Sequence, residues 1–206
     1  MTDKEVNEAQ KNISQYLADG FLIKNVSNTQ LVKFYSETAK NSFQVAQHLY
    51  NISTDKGIKK RIGFTEDFEC FLWVIVPAYY SMFYIANAAL AKLGIKVGDK
   101  IPHKVTQDAL IVYFMANKKL AKYLLEYYIE TKNEVLNIMN VTEEDLLKQF
   151  QLKANELIAT FDFQRRKRGE FQYEVKTPTK QSVAKTSLER AQIFVQEINS
   201  ILAKIK

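Results

Sequence analysis

Apolar residues recur along most of the chain at every third or fourth position, which is the spacing of an α-helix. Helices are predicted at about residues 3–18, 30–53, 103–115, 119–139 and 180–204, and no segment alternates as a β-strand does. Glycine and proline, which interrupt helices, number only 6 and 3 in 206 residues. Since so few breaks favour long helices, the pattern predicts an all-α fold.

One further helix should be buried on nearly all sides. Residues 70–91 carry no charge and are long enough to cross a bilayer. A proline, Pro77, and two polar residues, Ser81 and Asn87, interrupt the run, and its tyrosines and tryptophan are spread along it instead of lying at its ends. We therefore expect a core helix kinked at Pro77, and no membrane association.

Short polar segments set the expected helix ends. Ser27 or Asn28 should cap the helix at 30–53, and Thr65 should cap the long apolar helix. Gly94 should end that helix in the left-handed conformation. Residues 53–64 are predicted to form a loop with a basic patch.

Composition bounds the function classes only loosely. The formal net charge of +6 favours acidic partners such as nucleic acid, nucleotide phosphates or anionic lipid. Cys70 is the single cysteine, so an internal disulfide is excluded and a reducing compartment is favoured. It lies in an apolar run, so we expect a small buried side chain. The first residues lack a basic-then-apolar signal pattern, and we expect a cytoplasmic protein.

Four consecutive basic residues at 165–168 follow an apolar helical stripe at 147–161. If the helix continues at about 100° per residue, the stripe passes through arginine and glutamine. The residues on that face are Arg165, Arg168 and Gln172. The residues on the opposite face are Arg166, Lys167 and Glu170.

Arg165 and Arg168 would then need a partner, because a guanidinium is costly to bury alone. That partner would be an internal carboxylate or an anionic ligand. Two alternatives stay open. The helix could end near Phe163 with the arginines in water, or the basic face could form a subunit interface.

Residues 77–95 resemble the signature helix of the HEPN family, the higher eukaryotes and prokaryotes nucleotide-binding domain. An aromatic pair is followed by Met-Phe, by small residues at helical spacing, and by leucine and a glycine stop. The matching residues are Tyr79, Tyr80, Met82, Phe83, Ala86, Ala89, Leu90 and Gly94. Residues 166–171 are similar to the family's Arg-x-x-Ala-Asp-Tyr segment, and the closing helix is similar to its last helix. The resemblance covers about 28–204, which divides the chain into a helical extension with a linker, 1–26, and a HEPN-like domain, 27–206.

The resemblance implies an antiparallel helical bundle that often dimerises. Many HEPN members are metal-independent ribonucleases, often toxins paired with a small nucleotidyltransferase, and others are catalytically silent binding partners. The ribonuclease motif is an arginine followed after four to six residues by histidine. Here Gln172 and Tyr173 lie among the corresponding positions, and no histidine is nearby. The family alignment points to Arg166, whereas the helical stripe points to Arg165 and Arg168.

The two histidines differ in their expected roles. His48 should lie on the surface. His103 follows Pro102 at a helix start, where HEPN relatives often carry a histidine, so it is a candidate ligand-binding residue; alternatively it is a helix-terminal residue without chemistry. Two distant histidines and one cysteine make no closed metal site, so neither metal nor cofactor is expected.

The favoured interpretation is a protein that binds RNA or a nucleotide, or pairs with a nucleotidyltransferase, without efficient catalysis. The candidate ligand-binding residues are Arg165, Arg166, Arg168, Gln172, Tyr173 and His103. A ribonuclease using Arg166 and Tyr173 is the first alternative, although tyrosine, with a pKa near 10, is a poor base at pH 7. A purely structural interaction protein is the second.

A homodimer is also expected. The aromatic load of the helices at 66–93 and 119–139 is high for one bundle, and Tyr123, Tyr127 and Tyr128 in particular should crowd a monomer core. Tyrosine suits an interface because it buries area while its hydroxyl stays hydrated.

Overall fold

The computed structural model describes residues 3–117, 120–139, 142 and 177–205. Seven α-helices occupy most of these residues, which confirms the all-α prediction. In chain order they are α1 (Asp3–Ala18), α2 (Leu31–Thr54), α3 (Lys56–Arg61), α4 (Phe71–Lys92), α5 (Pro102–Leu110), α6 (Lys122–Met139) and α7 (Thr177–Lys204). A π-helical turn, Ile111–Met115, extends α5, and a 3-10 helix, Val26–Gln30, precedes α2.

The core is built around α4, which packs against α2, α5, α6 and α7. Most of its side chains are buried, including Tyr79, Met82 and Leu90. Within the part of the chain that the structure describes, α4 is the one helix long and apolar enough to cross a bilayer, and 72% of that apolar window is buried inside the fold. This burial is the pattern of a core helix, and Pro77 lies inside it.

Two short strands join the start of the chain to the end of α4. β1 (Leu22–Lys24) pairs antiparallel with β2 (Ile95–Val97), with Leu22 opposite Val97. The expectation of no strand is therefore wrong. These strands could not be predicted because three residues are too few to show an alternation in the sequence. Leu22 and Ile95 are each 1% exposed and fasten the pair to the core.

Gly94 ends α4 in the left-handed conformation, as predicted, with φ of +76°. A second constraint acts at this position. A Cβ added to Gly94 would lie 3.0 Å from the carbonyl oxygen of Asn25. The two backbone segments are also joined by a hydrogen bond, in which the Asn25 N–H donates to the Gly94 carbonyl at 2.8 Å.

The expected caps of α2 and α4 are wrong. Asn25 caps the 3-10 helix by accepting from the Ser27 N–H at 3.0 Å, while Asn28 is buried and donates to the carbonyls of Ile23 and Gly94. α4 begins at Phe71, six residues after Thr65. The first N–H group of α4, that of Phe71, donates instead to the Glu69 carboxylate at 3.1 Å.

The segment predicted to be a loop at 53–64 contains α3. Asp55 starts this helix by accepting from the Ile58 N–H at 2.9 Å. Cys70, which follows the segment, is half-buried, where the sequence predicts a small buried side chain. Its sulfur lies 3.1 Å from the Ser53 hydroxyl, and burial raises the pKa of the thiol.

α1, which lies in the predicted N-terminal extension at 1–26, packs on α5. Ala9, Ile13 and Tyr16 are buried in this contact. The buried carboxylate of Asp108 accepts hydrogen bonds from Asn12 at 3.0 Å and from the Tyr16 hydroxyl at 3.1 Å. Polar and apolar contacts therefore both hold α1 to the bundle.

Tyr128 fits inside the core, so the expectation that it would crowd a monomer is wrong. It is fully buried, with its ring centroid 5.6 Å from that of Tyr79 and 5.7 Å from that of Phe194. Both pairs are tilted, which lets three large rings share the space between α4, α6 and α7. Tyr123 is 44% exposed and Tyr127 is half-buried.

Candidate functional site

Most of the predicted site lies outside the described residues. This applies to Arg165, Arg166, Arg168, Gln172 and Tyr173, and to the apolar stripe at 147–161 that leads to them. His103 is the member of the candidate set that the structure places. His48, the other histidine, is exposed on α2, as predicted.

His103 lies in the first turn of α5 with its imidazole facing inward. Pro102 is the first residue of the helix, and Ile101 before it has φ of 40°, in the left-handed region. The side chain of His103 is 1% exposed. Its Nδ1 lies 2.7 Å from the Tyr79 hydroxyl, and its Nε2 has no hydrogen-bond partner among the residues that the structure describes.

Aromatic rings surround this imidazole on the α4 side. Ring centroids lie 4.6 Å away for Phe83, 5.5 Å for Tyr79 and 5.9 Å for Tyr80. Burial, and then repulsion from the Lys132 ammonium, lower the pKa of His103 to about 3. His103 is therefore a neutral hydrogen-bonding group near pH 7.

α6 contributes a cation and a phenol beside His103. Lys132 is 4% exposed and donates to the Gln107 side chain, one turn after His103, at 2.8 Å. Tyr128, one turn before Lys132, has its hydroxyl 3.4 Å from that of Tyr79. We call Tyr79, His103, Gln107, Tyr128 and Lys132 the buried polar cluster.

The buried polar cluster is suited to positioning helices and not to proton transfer at neutral pH. A general acid or base must contact its substrate and should titrate near the working pH. His103 meets neither condition, since it is 1% exposed with a pKa of about 3. Burial also raises the pKa of the neighbouring Tyr80 phenol, which therefore stays neutral. The hydrogen bonds of the cluster join α4, α5 and α6.

The sequence contained a signal for Lys132 that the initial interpretation missed. Lys132 lies on the same face of α6 as Leu125, seven residues earlier, and one turn after Tyr128, and both of these are buried. A lysine on an apolar stripe must have its charge accommodated inside the fold. This is the same reasoning that singled out Arg165 and Arg168.

A second polar network joins α6 to α7. The Arg190 guanidinium pairs with Glu130 and, at 2.8 Å, with Glu134. Glu134 also accepts from the fully buried Ser187 hydroxyl, and Arg190 lies over the Tyr127 ring at 5.9 Å from its centroid. Every charge in this network has an opposite partner, which is the arrangement expected of a structural contact.

A cavity of about 290 Å³ lies where α1, α5 and α6 meet. Its charged lining is mixed in sign and comprises Glu5, Glu8, Lys104, Asp108, Lys122 and Glu126. Lys104 pairs with Asp108 at 3.2 Å and Lys122 with Glu126 at 3.4 Å. Across the described residues, no group of three or more histidine, cysteine, aspartate or glutamate side chains is placed to hold a metal ion.

Comparison with known proteins finds no matching family model, no matching curated protein and no matching solved structure. The resemblance to the HEPN family therefore stays a prediction that rests on the sequence motifs.

Proposed function

We propose that the chain binds RNA or a nucleotide through the basic run at 165–168, without efficient catalysis. The placement of His103 is the observation that supports the lack of efficient catalysis. The two histidines of the chain are its only side chains with an ordinary pKa near neutrality, and His103 is held neutral in the interior. His48 lies on the outer surface of α2.

The need for an external anion is supported by the carboxylates inside the fold. Three largely buried carboxylates already have cationic partners: Asp108 pairs with Lys104, Glu69 with Lys180, and Glu134 with Arg190. These acids are therefore neutralised without the arginines at 165–168. Since these three acids of the described part are engaged, an anion from outside is the partner we propose for an arginine on a buried stripe, and the phosphate groups of RNA or of a nucleotide have the matching geometry.

The net charge of +6 supports the same choice of ligand. Phosphate binding by lysine and arginine depends steeply on salt and needs no base-specific contact. Binding that falls with ionic strength and varies little with RNA sequence is therefore expected. The resemblance adds a homodimer and a small nucleotidyltransferase as proposed partners.

The experiment compares the double variant R165A/R168A with K11A/K40A, which removes two exposed lysines from α1 and α2. Anisotropy of a labelled 20-nucleotide oligouridylate measures affinity, and thermal unfolding is recorded on the same samples. Each charged hydrogen bond is worth about 1.5–3 kcal/mol, so R165A/R168A should bind at least about tenfold more weakly. Its melting temperature should be unchanged or higher, because a binding site holds charge that the fold does not need.

Two results would contradict the proposal. Unchanged affinity with a lower melting temperature would make the arginines structural, since breaking a buried ion pair costs about 3–5 kcal/mol. Cleavage of the oligouridylate in EDTA by the wild type, lost in R165A/R168A, would show the ribonuclease alternative instead.

A further inference from the structure

The residues between α3 and α4 form an exposed turn that the fold holds firmly. α3 ends at Arg61, and Gly63 makes the turn with φ of +79°. The Phe64 N–H donates back to the Lys59 carbonyl at 2.9 Å. The Lys59 ammonium, 6% exposed, donates to the Glu66 carbonyl at 2.8 Å and closes the base of the turn.

Two apolar side chains of this turn face solvent. Ile62 is 48% exposed and Phe64 is 44% exposed. The Phe64 ring is stacked on that of Phe68, with centroids 4.1 Å apart and planes inclined by 26°. Because one face is held by Phe68, the ring is fixed in orientation while almost half of the side chain stays accessible.

Two cations of the turn have no ionic partner within the part of the chain that the structure describes. Of the acids nearby, Glu66 pairs with Lys56 at 2.7 Å and Glu69 with Lys180 at 3.1 Å, while the exposed Asp67 has a side-chain hydrogen bond with Thr65. Asp55 accepts from the backbone at the start of α3. Lys60 and Arg61 are exposed and form no ion pair with any residue that the structure describes.

We propose that Lys60, Arg61, Ile62 and Phe64, here called the basic–aromatic turn, bind single-stranded RNA. Phe64 stacks on a base, while Lys60 and Arg61 contact neighbouring phosphates. A fixed aromatic ring flanked by cations is the arrangement by which proteins hold single strands without reading sequence. The inference rests on the proposed function and narrows its ligand, since a second contact on the surface requires a strand and not a mononucleotide.

An anionic membrane is the competing partner for a surface that combines cations with apolar side chains. Stable membrane attachment needs two substantial signals, such as an acyl chain with a polybasic patch. The basic–aromatic turn offers two cations and two half-exposed apolar side chains, one of them stacked against Phe68. These features fit a base and its phosphates better than a bilayer.

The test uses the full chain with labelled 20-nucleotide oligouridylate, and an RNA duplex of equal length for comparison. Phe64→Leu keeps an apolar side chain but removes the ring, whereas Phe64→Tyr keeps the ring. Phe64→Leu should weaken single-strand binding about tenfold, equivalent to about 1.4 kcal/mol, and Phe64→Tyr should bind as the wild type does. Duplex binding should change by less than about twofold in both.

The charges are tested by K60A/R61A beside K11A/K40A, which carries the same loss of charge. On single strands each phosphate contact contributes about 0.7 to the slope of log affinity against log salt. K60A/R61A should lower that slope by about 1.4, and K11A/K40A should leave it unchanged. Circular dichroism melts of all variants establish that each is folded.

The outcomes separate this inference from the proposed function. If R165A/R168A weakens binding but Phe64→Leu and K60A/R61A do not, the inference is overturned while the proposed function stands. If only the turn variants weaken binding, the turn is the site and the proposed role of 165–168 fails. The lipid alternative is tested with phosphatidylcholine vesicles that contain about 30% phosphatidylserine. If the turn variants lose binding to these vesicles while their RNA affinity is intact, the turn binds lipid and the inference is overturned.

Discussion

The hydroxyl of Tyr79 lies 2.7 Å from Nδ1 of His103, inside the fold where α4 meets α5. Both side chains are at most 1% exposed. This contact links the helix that resembles the HEPN signature to the histidine that the same resemblance made a candidate. It also explains how the histidine can be buried, because one of its two ring nitrogens is satisfied by a phenol.

The burial of His103 should make stability depend on pH. Its pKa is about 3 in the fold and near 6.5 in the unfolded chain, so the unfolded state binds the proton first as pH falls. The stability that the neutral His103 contributes to the fold is fully present above about pH 6.5 and is lost progressively toward pH 3. Because of His103, the free energy of unfolding should be about 2 kcal/mol lower at pH 5.0 than at pH 7.5. Urea unfolding at both pH values measures the difference.

Two variants isolate this effect. His103→Phe fills the space without a titrating group, so its loss of stability between pH 7.5 and 5.0 should be about 2 kcal/mol smaller than in the wild type. His48→Gln, at an exposed position, should behave as the wild type does. Equal pH dependence in the wild type and His103→Phe would show that His103 is not buried neutral.

Asp108 should determine how tightly α1 is held. Its carboxylate, 3% exposed, accepts from Asn12, Tyr16 and Lys104, two of them on α1. Asp108→Ala should destabilise the fold by about 3 kcal/mol, since it removes hydrogen bonds to a buried charge. Hydrogen exchange should rise in α1 more than in α4. An equal rise in the exposed control Asp99→Ala would contradict this role.

Gly94 and Gly20 offer a matched pair for the end of α4. Both have positive φ, +76° and +73°, so alanine is strained at either site. Only at Gly94 would the added Cβ meet backbone, 3.0 Å from the Asn25 carbonyl oxygen; at Gly20 nothing lies within 4 Å. Gly20→Ala should cost about 1 kcal/mol and Gly94→Ala at least about 1 kcal/mol more in chemical unfolding. Equal costs would show that the contact with Asn25 relaxes freely.

The predicted homodimer can be tested at Tyr123. This side chain is 44% exposed, and its ring makes an edge contact with Tyr127 at 5.5 Å between centroids. Light scattering at micromolar concentration should give twice the chain mass of 23.9 kDa. Tyr123→Lys should shift the mass to the monomer, whereas Phe34→Lys, at an exposed position on α2, should not. A monomer mass for the wild type would contradict the prediction.

The helices could be predicted from the sequence because their signals are local. The apolar period of α2, α6 and α7 and the left-handed glycine at 94 each follow from a few neighbouring residues. The residues that cap the helices were harder to predict from the sequence. Asn28 has a capping side chain, yet its hydrogen bonds go to Ile23 and to Gly94, 66 positions away, because β1 and the end of α4 meet there.

The site was harder to predict because burial reverses chemical expectations. From the sequence alone, His103 is expected to have the ordinary pKa of histidine, which suits a catalytic group. In the fold, the rings of Phe83, Tyr79 and Tyr80 enclose it. The Lys132 ammonium also repels the proton that His103 would take up. None of these is adjacent in the chain. The sequence predicts the basic–aromatic turn only as a basic patch in a loop, because a loop prediction does not fix the Phe64 ring against Phe68, four residues later.

The proposed RNA binding is tested most directly by the salt dependence of oligouridylate affinity in R165A/R166A/R168A. The triple variant covers both the stripe arginines and the one that the family alignment favours. With about 0.7 per phosphate contact, the slope should fall by about 1.4 if the two stripe arginines bind phosphate and by about 0.7 if Arg166 alone does. K11A/K40A/K96A, which removes three exposed lysines, should keep the wild-type slope. Equal slopes and equal affinities in the two triple variants would contradict the account.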